Sequence, residues 1–166
     1  MVVRVSRIKV YADVDGTLTT GIFNHHQTVV VEAHGQALTL RWRQETIESI
    51  AAISKHPSIE FWWLTAWQGE AVRVLDPLWG IGSAGVIDWA EPYGDWMHTS
   101  KRAAVLEDQE LDATPFICID DLAMQKLEED SPLRRPDSLL LAVNELVGLT
   151  LSDISAIHEF VERFEP

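Results

Sequence analysis

Short apolar runs that end in polar clusters recur along the chain, with helix-like stretches between them. The run Ile8-Lys9-Val10-Tyr11-Ala12 predicts a strand leading into Asp13-Val14-Asp15-Gly16-Thr17. Residues 28–32 and 36–42 flank Ala33-His34-Gly35 and predict a β-hairpin turning at Gly35. Apolar positions Ile47, Ile50, Ala51 and Ile53 predict a helix from Arg43 to about Lys55, stopped by Pro57. A buried strand follows at 59–64, with Trp62 and Trp63 on opposite faces. Residues 68–75 read as helical, with Pro77 ending or kinking the helix. A strand is expected over 85–88, a helix over about 100–108, and further strands over 116–119 and 139–143. Ile154, Ile157, Val161 and Phe164 form the stripe of a last helix, with Ser152 as its expected N-cap.

Apolar strands separated by helices predict an α/β fold, a three-layer sandwich around a mostly parallel, Rossmann-like sheet. No repeat or long linker divides the 166 residues, so one domain is expected over 1–166. A chain of this length buries roughly 70% of its unfolded surface and needs no staple. The single cysteine, Cys118, forbids an internal disulfide and points to a reducing, cytoplasmic setting. Arg4, Arg7 and Lys9 interrupt the first ten residues, so no secretory core is expected there, and no apolar run reaches membrane-spanning length. The formal charge of −13 weighs against nonspecific binding to nucleic acid.

The chemistry concentrates at strand ends. Asp13 and Asp15 follow one apolar strand, Gly16 permits a sharp turn and Thr17 adds a hydroxyl. Asp120 and Asp121 follow another. In a parallel sheet these ends share one edge, where ligands of open α/β folds bind. Four carboxylates there carry a formal −4, which is costly without cations. Mg²⁺ accepts carboxylate, water and phosphate oxygens, and with one lysine it brings the sum to −1. One Asp-x-Asp-Gly alone is a common turn, and Asp120-Asp121 alone reads as a helix cap. The conjunction is what carries weight.

Thr65 reads either as an N-cap or, with Ala66 and the backbone N–H groups beyond, as part of a phosphate cradle. Lys101, expected in the first turn of a helix capped by Thr99 or Ser100, is either a solvated lysine or the cation of the site; Arg102 is its neighbour.

This order of residues resembles the haloacid dehalogenase (HAD) superfamily. Residues 10–18 look like its first motif, Thr65 after Trp62-Trp63-Leu64 the second, Lys101 the third and Asp120-Asp121 the fourth. Trp63-Leu64-Thr65-Ala66-Trp67, Leu75-Asp76-Pro77-Leu78 and Gly148-Leu149-Thr150 look like the small HAD domains of RNA-repair proteins. The resemblance implies a Mg²⁺-dependent phosphatase. Asp13 would form an aspartyl-phosphate, and Asp15 would act as general acid and then base. Gly16, Thr65, Ala66 and Lys101 would hold the phosphoryl group. Asp13, the Asp15 carbonyl and the pair Asp120-Asp121 would hold the metal, with the direct ligand of that pair left open.

The segment from about 19 to 42 is too short for the cap domain of larger family members and reads as a hairpin flap. An open site of that kind suits a small phosphorylated molecule or a macromolecular end. Two other readings compete: a HAD-like binding module without catalysis, and a receiver-type phosphoacceptor domain, whose acidic pair comes first rather than late. Gly80 to Gly85 matches G-x-G-x-x-G but precedes a strand, so it predicts no dinucleotide site. His25-His26 reads as solvated loop, Cys118 as core, and Trp67 and Trp96 as packing rather than base-stacking residues.

Overall fold

The computed structural model describes residues 7–20, 27–89, 97–125 and 127–165. Its elements run β1 (Ile8–Ala12), β2 (Gln27–Ala33), β3 (Gln36–Trp42), α1 (Gln44–Ser54), β4 (Ile59–Trp63), a π-helical turn (Ala71–Leu75) continued by α2 (Asp76–Trp79), β5 (Gly85–Val86), α3 (Met97–Leu111), β6 (Phe116–Asp120), β7 (Ser138–Ala142) and α4 (Leu151–Phe164).

Five strands form the central sheet in the order β5-β4-β1-β6-β7, and every neighbouring pair is parallel. Counted within this sheet the order is 3-2-1-4-5, the doubly wound arrangement of Rossmann folds. Successive side chains alternate between its faces. Ile8, Val10, Ala12, Phe61, Trp63, Ile117 and Ile119 enter one core with α1, α4 and Trp79. Tyr11, Phe116 and Cys118 enter a second with Ala104 and Val105 of α3. The molecule is therefore a three-layer α/β sandwich, as the sequence predicts. Trp62 and Trp63 do lie on opposite faces.

Lys9 belongs to the second face and is buried, with Nζ 2.9 Å from an Asp108 carboxylate oxygen and 3.5 Å from one of Asp112. A buried ammonium survives only when paired in this way. Tyr11 donates to the same Asp108 oxygen, so α3 is tied to β1 by polar contacts as well as apolar ones.

β2 and β3 pair antiparallel from Gln27↔Trp42 to Ala33↔Gln36 and form a separate two-stranded sheet. The turn consists of His34 and Gly35, with φ of 52° and 70°. Two successive positive φ values match the twist of a tight hairpin, and glycine takes the second without steric cost. The first part of the expected flap, with His25 and His26, lies outside the described residues, as does Trp96.

Several boundaries differ from expectation. Pro77 does not end its helix. The preceding turn is π-helical, and α2 runs through the proline to Gly80 (φ 66°). A wider turn absorbs the carbonyl that proline would otherwise strike and the hydrogen bond it cannot donate. α3 begins by Met97, so Lys101 stands beyond the first turn and does not oppose the helix dipole there. Thr150, not Ser152, caps α4, in a reciprocal box with Asp153. β5 keeps only two of the four expected residues. The glycine run 80–85 joins α2 to β5 and opens no helix.

Candidate active site

The strand order reverses direction across β1 and β6, so the connections leaving these two strands diverge and open a crevice at their carboxyl ends. Both strands end in acid. Asp13 still donates its backbone N–H to Ile119 O, which fixes the two ends in register. Asp13, Asp120 and Asp121 are all buried, and each offers a carboxylate oxygen within 4.8 Å of the others.

Lys101 reaches this cluster from α3. Its Nζ lies 3.0 Å from Asp13 Oδ2 and 2.7 Å from Asp120 Oδ2. Burial opposes the ammonium charge, but Asp13 and Asp120 outweigh it and hold the Lys101 pKa above its ordinary value. One cation does not satisfy three acids. Burial, reinforced by the charge of Asp120, pushes Asp13 up to about 7 despite Lys101. Burial and the adjacent Asp120 also raise Asp121. Three carboxylates and one ammonium leave a formal −2.

The members of the acidic pair differ in commitment. Asp120 Oδ1 accepts the backbone N–H groups of Leu122 and Ala123 at 2.9 and 2.5 Å, while Oδ2 accepts from Lys101. Asp120 is thus an anchor with few lone pairs to spare. Asp121 is held by its backbone, whose N–H donates to Thr17 Oγ1 at 3.2 Å. Its carboxylate lies against Gly16, where a Cβ would meet Oδ2 at 2.5 Å. An all-carboxylate donor set with a residual negative charge fits a hard divalent cation such as Mg²⁺. Asp13 and Asp121 are the residues best free to hold it.

Asp15 stands outside the cluster and is exposed. Its Oδ2 accepts the indole N–H of Trp67 at 2.9 Å, and Thr19 Oγ1 lies 3.3 Å from Oδ1. Gly16 (φ 73°) makes the turn that separates Asp15 from Asp13, and the N–H groups of Thr17, Leu18 and Thr19 converge on Val14 O.

A cleft of about 530 Å³ opens over these groups, lined by Asp13, Asp15, Gly16, Ala66, Met97, His98, Lys101, Asp120, Asp121, Leu122, Glu145 and Leu146. All the expected residues except Thr65 line it. Thr65 lies two residues past the end of β4 at the same edge but is fully buried, and its Oγ1 accepts the Trp67 N–H at 3.3 Å. No regular helix starts there; a turn intervenes before the π-helical segment.

Nothing in the sequence marks Trp67 as a hydrogen-bond donor to Asp15, the Thr17 hydroxyl as a tether of Asp121, or Met97, His98, Leu122 and Leu146 as rim residues. Glu145 was findable, because it follows the end of a parallel strand, β7, and such ends share the binding edge. Compared with known proteins, the chain matches no family model, no curated protein and no solved structure.

Proposed function

We propose that this chain is a Mg²⁺-dependent phosphatase of HAD type that hydrolyses phosphate monoesters through an aspartyl-phosphate. The observation that carries the reading is the meeting of Asp13, Asp120, Asp121 and Lys101 at the strand ends where the sheet order reverses. Sites that handle a phosphoryl group work mainly by positioning and by neutralising charge, and this one holds a buried nucleophile candidate beside a fixed cation.

In this reading an Asp13 carboxylate oxygen attacks phosphorus, and the bond from phosphorus to the ester oxygen breaks. Asp15 gives its proton to the departing oxygen. It then takes a proton from water, which hydrolyses the aspartyl-phosphate and restores Asp13. Lys101 holds a phosphoryl oxygen, and Ala66 and Gly16 bring backbone close to it. Bound Mg²⁺, held by Asp13 and Asp121 with Asp120 behind them, would supply the charge that lets Asp13 act ionised.

The sheet order also favours this reading over the receiver alternative, since receiver domains use the order 2-1-3-4-5. Among the described residues that line the cleft, only Lys101 and His98 can carry positive charge, against five carboxylates. That balance, with the apolar Met97, Leu122 and Leu146, suits a monoester on an uncharged body, either a small molecule or an accessible macromolecular end. Nonspecific nucleic-acid binding does not fit the charge. Among the described residues no helix is long and apolar enough to cross a membrane. The single cysteine, buried in β6, supports a cytoplasmic setting.

The test is turnover of a panel of phosphomonoesters with Mg²⁺ and with EDTA, for the wild type and Asp13→Asn. Metal-dependent release of phosphate that Asp13→Asn abolishes is expected. Equal turnover by the variant would exclude Asp13 as nucleophile, and stable phosphorylation without turnover would favour a receiver-like role.

A further inference from the structure

We propose that Trp67 is a positioning residue for proton transfer, holding Asp15 so that one defined carboxylate oxygen faces the leaving group; this rests on the phosphatase reading above. Asp15, like Glu145, is an acid of the cleft that lies outside the buried cluster, and an exposed aspartate on a turn would ordinarily sample several rotamers. Here its Oδ2 is taken by Trp67 Nε1 at 2.9 Å across 52 residues of chain.

The indole is itself fixed. Trp67 is only 4% exposed, and its backbone N–H is donated to Thr65 Oγ1. The His34 ring at the hairpin turn packs on it, with centroids 6.4 Å apart. That turn is in turn tied down: His34 N–H donates to Glu70 Oε2, and Arg73 bridges Glu70 and the Glu32 carbonyl.

Indole N–H is a donor and never an acceptor. It can orient Asp15 but can neither take the catalytic proton nor return one. Oδ2 accepts from the indole at 2.9 Å, while Oδ1 accepts only the longer 3.3 Å contact from Thr19 Oγ1, a hydroxyl that also reaches Val14 O. In the phosphatase reading Oδ1 is the oxygen that gives a proton to the leaving oxygen as the bond to phosphorus breaks, and that later takes the proton of the attacking water. General acid–base catalysis contributes about 10²–10⁴-fold, so misplacing the group that performs it has a measurable cost.

Trp67→Phe keeps an aromatic ring and deletes the N–H. For phenyl phosphate, whose leaving group needs a proton, kcat is expected to fall about tenfold or more, with KM changed less than about twofold. For 4-nitrophenyl phosphate, whose leaving group departs without protonation, the fall is expected to stay below about threefold. Equal losses on both substrates would mean a merely structural role and overturn the proposal, as would no loss on either.

A second readout needs neither metal nor turnover. In ¹H–¹⁵N spectra of the metal-free protein, the indole resonance that Trp67→Phe removes is expected to move in Asp15→Ala while the other indoles stay. An unmoved resonance would overturn the contact. Wild-type protein inactive on both substrates would overturn the phosphatase reading and the assigned role with it, even if the indole resonance moved.

Discussion

Gly16 and Asp121 are packed so closely that a Cβ on residue 16 would stand 2.5 Å from Asp121 Oδ2 and 2.9 Å from its Cγ. The first acidic turn and the second acidic pair, 105 positions apart, are thus shaped to one another. Gly16 also has φ 73°, which costs a side-chain-bearing residue on the order of 1–3 kcal/mol. Gly16→Ala is expected to lower unfolding free energy by about that amount and to weaken Mg²⁺ binding by displacing Asp121. Denaturant titration and calorimetry with Mg²⁺ check the two effects separately.

Lys101→Met removes the partner of two buried carboxylates. Breaking a buried pair on one side costs about 3–5 kcal/mol, and urea unfolding at neutral pH is expected to report a loss of that order. The loss should shrink at pH 5, where Asp13, with its pKa near 7, is protonated and needs no partner. A loss independent of pH would contradict this account.

The stability of the metal-free protein should fall between about pH 4 and pH 7. Asp13 binds its proton more tightly folded, at about 7, than unfolded, at 3.8. The folded state therefore carries the extra proton in this window, and linkage requires stability to decline as pH rises. The contribution is full below pH 3.8 and gone above about 7. Thermal melts in EDTA are expected to show a higher midpoint at pH 5 than at pH 7.5. Asp13→Asn should reduce the difference to what the likewise raised Asp121 contributes, and Mg²⁺ should shrink it by favouring the ionised form.

Thr150→Ala removes the capping box of α4, which lies away from the cleft. A loss of about 1 kcal/mol is expected, with Mg²⁺ affinity unchanged. Chemical denaturation and calorimetry on the same sample decide it.

What the sequence disclosed was local and periodic. Apolar runs at 8–12, 59–64 and 116–119 marked the strands, and acidic clusters at the ends of the first and last marked the edge that the fold brings together. The hairpin was legible for the same reason, since alternation on both sides of His34-Gly35 leaves one pairing. Lys9 read as an interruption because its partner Asp108 lies 99 residues away. Trp67 read as packing because tryptophans fill cores, and nothing local marks an indole N–H for a carboxylate 52 residues earlier. Pro77 read as ending or kinking the helix, and nothing periodic over five residues marks the π-helical turn that lets the helix run through it. The helix bearing Lys101 began earlier than its Thr99 and Ser100 suggested, since hydroxyl residues also sit inside helices.

The reversal of strand order beneath the cleft has an evolutionary corollary. The hollow is made by main chain parting in two directions, so no side-chain substitution abolishes it. Charges on its floor can be exchanged one at a time while a receptacle of similar size persists. Catalysis in this scaffold would be easy to lose and its ligand pocket hard to erase, so descendants that no longer turn over substrate should still retain a place to bind one.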